Sequence, residues 1–306
     1  MNLELVYLSL APIFALIALG YGLRRLGFPG EAAWPALERL VYYVLFPALL
    51  VETLGTAEVS VLRGLWVGLA VVTAIGAMAV LTSLLRPLLA LDGPAYTSFF
   101  QGSIRFNTYV GIAAAIGLFG PEGGAVAAMV MAVMIPLVNV LSVGVLARHA
   151  DNRTGPGPLV RGIATNPLIL GCVAGALLNL SGVGLPGGLD RITGTIGRGA
   201  LPLGLLTVGA GLSIQAAWRR RGVIAMGSVA KLAVLPLLCL AAARVFALGE
   251  LEMRVVVLFG ALPTATSAYI LARQLGGDGP LMAGLLTAQT LAAVLTLPVT
   301  LVLLGV

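Results

Sequence analysis

Long stretches without Asp, Glu, Lys or Arg dominate this chain. They cover Leu5 to Leu23, Gly64 to Leu85, Gly123 to Ala147, Gly162 to Leu189, Gly199 to Trp218 and Gly279 to Val306. Each reaches the roughly 18 to 20 residues that a membrane-spanning helix requires. Shorter or interrupted apolar stretches at Leu37 to Leu54, Ala95 to Phe119, Val223 to Leu248 and Val255 to Leu275 supply four more. The pattern predicts an all-α integral membrane protein with ten spans.

The pattern is also written twice. Pro12 and Pro47 lie 35 residues apart, and Pro167 and Pro202 repeat that spacing with a shift of 155. A shift of 156 lays Asn107-Thr108 on Pro263-Thr264, Gly120 on Gly276 and Glu122 on Asp278. Two five-helix repeats are expected, residues 1–150 and 156–306, joined by the Gly- and Pro-rich connection from Arg148 to Arg161. An odd number of spans per copy forces the copies into opposite orientations, an inverted-topology design that sets a substrate site at the interface of the repeats.

Composition agrees with the bilayer. Hydrophobic residues make up 59% and charged residues 10%, where soluble domains carry about a quarter charged. Mean hydropathy is +1.05. Eleven arginines fall in loops after odd-numbered spans and five in loops after even-numbered ones. By the positive-inside rule the first set is cytoplasmic and both termini face outward. The net charge of +6 is then a topology signal, and no nucleic-acid partner is inferred from it. Without a basic n-region or a small-residue cleavage site, Leu5 to Leu23 reads as a retained first helix. Cys172 and Cys239 lie in apolar spans with no disulfide or metal spacing, so neither a metal nor another cofactor is expected. His149 reads as a solvated loop residue. The clustered glycines from Gly194 to Gly211 read as close helix packing.

The fourth and ninth spans are each interrupted at the same place in their repeat. Ser103-Ile104-Arg105-Phe106-Asn107-Thr108 breaks one, and Gly260-Ala261-Leu262-Pro263-Thr264-Ala265-Thr266-Ser267 the other. Pro lacks the backbone N–H, and Asn, Thr and Ser favour caps over helix interiors. A proline kink re-satisfied by neighbouring hydroxyls would explain one break. Matched breaks in both copies favour a site, because non-helical backbone at depth survives only where protein buries it or it lines a cavity. Where a half-helix restarts, its free N–H groups can receive an anion, with Asn107, Thr108 or Thr264 as caps.

Two cations share a depth. Arg105 lies about ten residues into the fourth span and Lys231 about nine into the eighth, roughly 14 to 15 Å deep in a core about 30 Å thick. No Asp or Glu is expected beside them, since Glu52 and Glu122 lie toward the outer side. Uncompensated cations at that depth are expensive, which points to an anionic substrate. Arg105 suits bidentate contact with a carboxylate. Lys231 is the only lysine. Because lysine can lose its proton when desolvated, Lys231 is a candidate for proton coupling, with a snorkelling lysine as the alternative. Gln289 and Asn139 are candidates for coupling or charge compensation, and Thr266 and Ser267 join Asn107, Thr108, Pro263 and Thr264 as candidate substrate contacts. Sodium coupling is less expected, because the oxygens available there are neutral.

The segments Gly20-Tyr21-Gly22-Leu23-Arg24-Arg25, Leu45-Phe46-Pro47-Ala48-Leu49, Arg105-Phe106-Asn107-Thr108, Leu262-Pro263-Thr264-Ala265-Thr266-Ser267-Ala268-Tyr269 and Leu271-Ala272-Arg273-Gln274 resemble the auxin efflux carrier family, which includes bacterial permeases for organic acids. The resemblance implies a fold like that of bile-acid/sodium symporters. Spans one, two, six and seven would form a scaffold domain, and spans three to five and eight to ten a transport domain that moves like an elevator. Broken spans four and nine would cross in it, with Asn107 and Pro263 at the crossing. The chain lacks a proline in the first break and a long loop between repeats, which argues against auxin itself.

A cytoplasmic-membrane carrier of a small organic anion is the expected function. A membrane-embedded enzyme is disfavoured by the lack of an HExxH pattern, intramembrane Asp pairs or a Ser-His dyad. A passive channel or a ligand sensor on the same fold remains the alternative. Expected partners are the substrate anion and the lipid bilayer, with a homodimer as a candidate assembly.

Overall fold

The computed structural model describes residues 3–56, 61–149, 164–181, 185 and 187–305. Most of the expected connection between repeats, including Arg153 and Arg161, lies outside them. Among the described residues every regular element is helical.

Helix α1 is Leu3–Arg25. Helix α2, Ala33–Leu40, runs through a π turn at Val41–Leu45 into α3, Phe46–Gly55. The chain continues with α4 (Val61–Leu89), α5 (Gly93–Ile104) and α6 (Thr108–His149). Then come α7 (Pro167–Leu180), α8 (Leu189–Gly197), α9 (Ala200–Ala210) and the short α10 (Ile214–Ala217). Helix α11, Arg221–Val229, passes through a second π turn, Ala230–Val234, into α12, Leu235–Val245. The last elements are α13 (Glu250–Ala261), α14 (Thr266–Gln274) and α15 (Gly279–Leu303).

Prolines explain both π turns. Pro47 and Pro236 have no N–H to continue the ladder and crowd the preceding turn. The residue before each reaches one position further back instead: Phe46 N–H bonds to the Val41 carbonyl and Leu235 N–H to that of Ala230. Such bulges often mark functional positions. Here the turns carry Tyr42 and Lys231.

Five helical segments among the described residues are long and apolar enough to cross a membrane, or six if the pair α13 and α14, bent by 50°, is one span. The chain is therefore a multi-pass membrane protein. Other expected spans are shorter or divided. Helix α7 has 14 residues, and the seventh expected span starts earlier, at Leu189, and is broken at Arg198 and Gly199. Gly120 (φ 68°) and Pro121 bend α6. Gly276, its counterpart at the 156-residue shift, also has positive φ, 78°.

Helix α3 packs on α7 and α8, and α1 on α9. The approach of α1 to α9 depends on glycine. A Cβ on Gly209 would stand 1.8 Å from the Ile17 carbonyl oxygen, and one on Gly20 would stand 2.1 Å from that of Leu206. Elsewhere α12 packs on α4 and α13, α13 on α6, and α15 on α5, α10 and α14. Asp92 and Asp278 cap α5 and α15 through the amides of Ala95 and Leu281. Arg220 reaches both carboxylates, at 3.7 and 3.2 Å.

Candidate anion site at the two helix breaks

Both expected interruptions are present. Residues 105–107 separate α5 from α6, and residues 262–265 separate α13 from α14. The breaks touch: the Asn107 amide donates to the Pro263 carbonyl oxygen at 2.8 Å. Asn107 also caps the restart of its own helix, its Oδ1 accepting from the amides of Tyr109 at 3.1 Å and Val110 at 3.2 Å. Thr264 does not cap α14. Its amide donates to Gln289 Oε1 at 3.0 Å, and Ala265, at the N-cap position, offers no side-chain oxygen. Thr108, the first residue of α6, is partly buried.

Gln289 is a buried brace. While Oε1 takes the Thr264 amide, Nε2 donates to the carbonyls of Gly102 at 2.9 Å and Gly227 at 3.3 Å. It thereby links the second break to the end of α5, where carbonyls lack intrahelical donors.

Arg105 is only 7% exposed. Its Nη1 donates to Asn139 Oδ1 at 2.9 Å and to Ser142 Oγ at 3.5 Å, and Nη2 donates to Ser267 Oγ at 3.1 Å. All three partners are neutral. Arg105 Nε, Asn107 Nδ2, Thr264 Oγ1 and both side-chain polar atoms of Gln101 are buried without a hydrogen-bond partner. Buried polar groups are nearly always paired, and these unpaired atoms gather along 101–107 and at 264.

Lys231 is fully buried, and its Nζ donates to the Gly260 carbonyl at 3.0 Å. That carbonyl belongs to the last turn of α13, so the ammonium sits at the negative end of a half-helix. The hydrogen bonds of Arg105 and Lys231 have no partner in common. The expectation of two cations facing one substrate therefore divides into two settings: Arg105 beside α14, and Lys231 behind α13.

A carboxylate that sequence reading did not single out stands at the second break, although the hydrogen bonds of Arg105 and Lys231 go to neutral partners. Glu38, on α2, accepts a hydrogen bond from Thr266 Oγ1 at 3.2 Å. Tyr42, one turn on, is hydrogen-bonded to Asn166 and lies close enough to Arg105 to interact with its charge. Tyr109 stands close to Glu38 and Tyr42 and packs edge-on against Phe46. Glu38 escaped notice because it lies at the very start of its expected span, Leu37 to Leu54, away from the middle where a site was sought. Its spacing of four from Tyr42, which places both on one helix face, was the available signal. His149 ends α6 rather than lying in a loop, within 3.2 Å of Arg86.

A cavity of about 560 Å³ lies elsewhere, lined in part by Glu52, Arg63, Glu122 and Glu252. None of the sequence-predicted site residues lines it. Among the described residues no cluster of three His, Cys, Asp or Glu could hold a metal ion.

Comparison with known proteins points to transport. The family described as "Membrane transport protein" matches residues 158–301. The second half of the chain is thus similar to this membrane transport family. An "Uncharacterized transporter" of Methanothermobacter thermautotrophicus is 27% identical over 299 residues, covering 94% of each chain. A "Putative malonate transporter" of Rhizobium meliloti is 27% identical over 285 residues, covering 87% of this chain and 85% of its own. Within the membrane transport family match lie Lys231, Gln289 and the whole second break. The first break, with Arg105, falls in the half covered by the two full-length relatives. These names indicate transport rather than catalysis.

Proposed function

We propose that the chain is a secondary transporter that moves a small organic anion, a mono- or dicarboxylate, across the cytoplasmic membrane by elevator-like alternating access. The observation that carries this reading is Arg105, a buried guanidinium with only neutral partners, next to two helix breaks whose polar atoms are incompletely paired. An anion there would pair the cation and accept from the free donors. The name of the Rhizobium relative favours a carboxylate.

In this reading ten spans form two inverted repeats, 1–150 and 156–306, with both termini outside. Helices α1 to α3 and α7 to α9 make the scaffold, and the rest make the moving body. Arg105, Thr266 and Ser267 contact the substrate carboxylate, with Asn107, Thr108, Pro263 and Thr264 shaping the breaks around it. Asn139 orients Arg105, and Gln289 fixes the breaks to each other. Lys231 compensates the end of α13 while protonated and is the residue through which protons would couple, by releasing and regaining that proton.

Uptake of labelled malonate by proteoliposomes tests the proposal. Saturable uptake, accelerated by unlabelled malonate on the far side, is the carrier result. Conductance far above carrier rates would indicate a channel, and binding without flux would indicate a sensor.

A further inference from the structure

Among the described residues hydrogen-bonded at the two breaks, Glu38 is the one carboxylate, the same group as the proposed substrate. It comes from α2, which packs on α9 and lies outside the bundle of α4 to α6 and α11 to α15. It ends on Thr266, the first residue of α14. The next residue of that turn, Ser267, is held by Arg105 through its Oγ. No side chain caps the amides at this end: Ala265 has no capping oxygen, and the buried Thr264 hydroxyl has no partner. Helix N-termini favour carboxylates. The Thr266 methyl faces the Gly211 position of the same side, where an added Cβ would lie 3.4 Å away, so the hydroxyl is directed to Glu38.

We propose that Glu38 is the resident carboxylate of the anion site: it occupies the Thr266 end of α14 when the site is empty, and an incoming substrate carboxylate displaces it. This rests on the anion-transport reading above and deepens it by naming the contact the substrate must replace. Substrate arrival then also releases the side-chain hydrogen bond from Thr266 of α14 to Glu38 of α2, coupling occupancy to the freedom of α14 to leave α2. No bond to carbon forms or breaks; one carboxylate exchanges for another on the same hydroxyl.

The test is calorimetric titration of malonate into the purified full chain in detergent, with wild type, Glu38→Gln, Glu38→Asp and Arg105→Ala. Displacement predicts that Glu38→Gln lowers the malonate Kd about tenfold or more, because the competing anion is gone. Glu38→Asp keeps the charge but is one methylene too short to hold Thr266, so it should tighten binding too, by less. If Glu38 only added a repulsive charge, Glu38→Asp would bind like wild type, and displacement would be overturned. An unchanged or raised Kd in Glu38→Gln would also overturn it. If wild type binds malonate, Arg105→Ala abolishes binding and both Glu38 variants match wild type, the transport reading stands and this inference fails. If neither malonate nor other mono- and dicarboxylates bind any folded variant, both fail.

Discussion

The Asn107 amide and the Pro263 carbonyl are joined by a 2.8 Å hydrogen bond, although 156 positions separate them. One interrupted helix thus supplies the donor and the other the acceptor. Proline is suited to its side of this bond, because it has no N–H to satisfy but keeps its carbonyl. The bond holds the two breaks in register, and Gln289 supports it from α15. Loss of regular helix here is fixed geometry, with most backbone groups given a defined partner.

Arg105→Lys should weaken carboxylate binding strongly while leaving the fold intact. A lysine carries the charge but has no planar fork to reach Asn139 and Ser267 together. Losing one charged hydrogen bond costs about 1.5–3 kcal/mol, so malonate affinity should fall roughly 10- to 100-fold. Titration calorimetry reads this directly, and wild-type affinity in the variant would remove Arg105 from the site.

Lys231→Met should change stability little and transport a great deal. Leaving the Gly260 carbonyl without a donor costs about 1–3 kcal/mol. Relief from burying a charge offsets part of that, and methionine fills a similar volume. Proteoliposome uptake should fall at least about tenfold, while the melting temperature in detergent stays close to wild type. In the wild type, replacing sodium by choline should leave uptake unchanged, since Lys231 supplies the positive charge. Sodium-dependent uptake would contradict that role.

The breaks were legible because their residue types conflict with continuous helix. Asn107 and Pro263 sit inside otherwise apolar runs, and the structure interrupts helix at 105–107 and 262–265. Arg105 was legible from its depth in the sequence. Of its hydrogen-bond partners, Asn139 and Ser267 were candidates from sequence, whereas Ser142, 37 positions away, becomes a neighbour only through packing. Glu38 was missed because α2 reads as a polar helix end, and the π turn after it shifts the register of the face it shares with Tyr42. Gln289 reads in sequence as a free polar group for coupling; its contacts make it a brace with both ends occupied. Span counting was limited in the same way, because bends and breaks divide helices that hydropathy treats as continuous.

Gly209→Ala should destabilise the protein by about 1–3 kcal/mol or more, the usual range for overpacking. The new methyl would meet the backbone oxygen of Ile17, and a backbone atom cannot rotate away. Gly22→Ala is the control. Nothing lies within 4 Å of its Cβ position, and alanine is the better helix former by about 1 kcal/mol. Thermal unfolding in detergent should separate the two, with Gly209→Ala melting lower and Gly22→Ala at or above wild type. Equal melting temperatures would mean that α1 and α9 do not need their close approach.

Asn107→Asp separates stability from anion binding at a single atom. Aspartate keeps an oxygen where Asn107 Oδ1 caps the amides of Tyr109 and Val110, and a negative charge at a helix N-terminus is favourable. The buried Nδ2, which has no partner, is removed at the same time. Burial of the new charge opposes these gains, but Arg105 lies two residues away in the same break to compensate it. The folded state should therefore survive with a melting temperature near that of wild type. For a carboxylate substrate the change is adverse on both counts: a donor is lost and a like charge is added. Malonate affinity should drop at least about tenfold, or by about 1.4 kcal/mol. Asn107→Ala gives the opposite pattern, because it loses the cap and should melt lower by roughly 0.5–2 kcal/mol of stability while adding no repulsion. If Asn107→Asp bound malonate as well as wild type does, the anion would have to sit away from the first break, and the role given to Asn107 would be withdrawn.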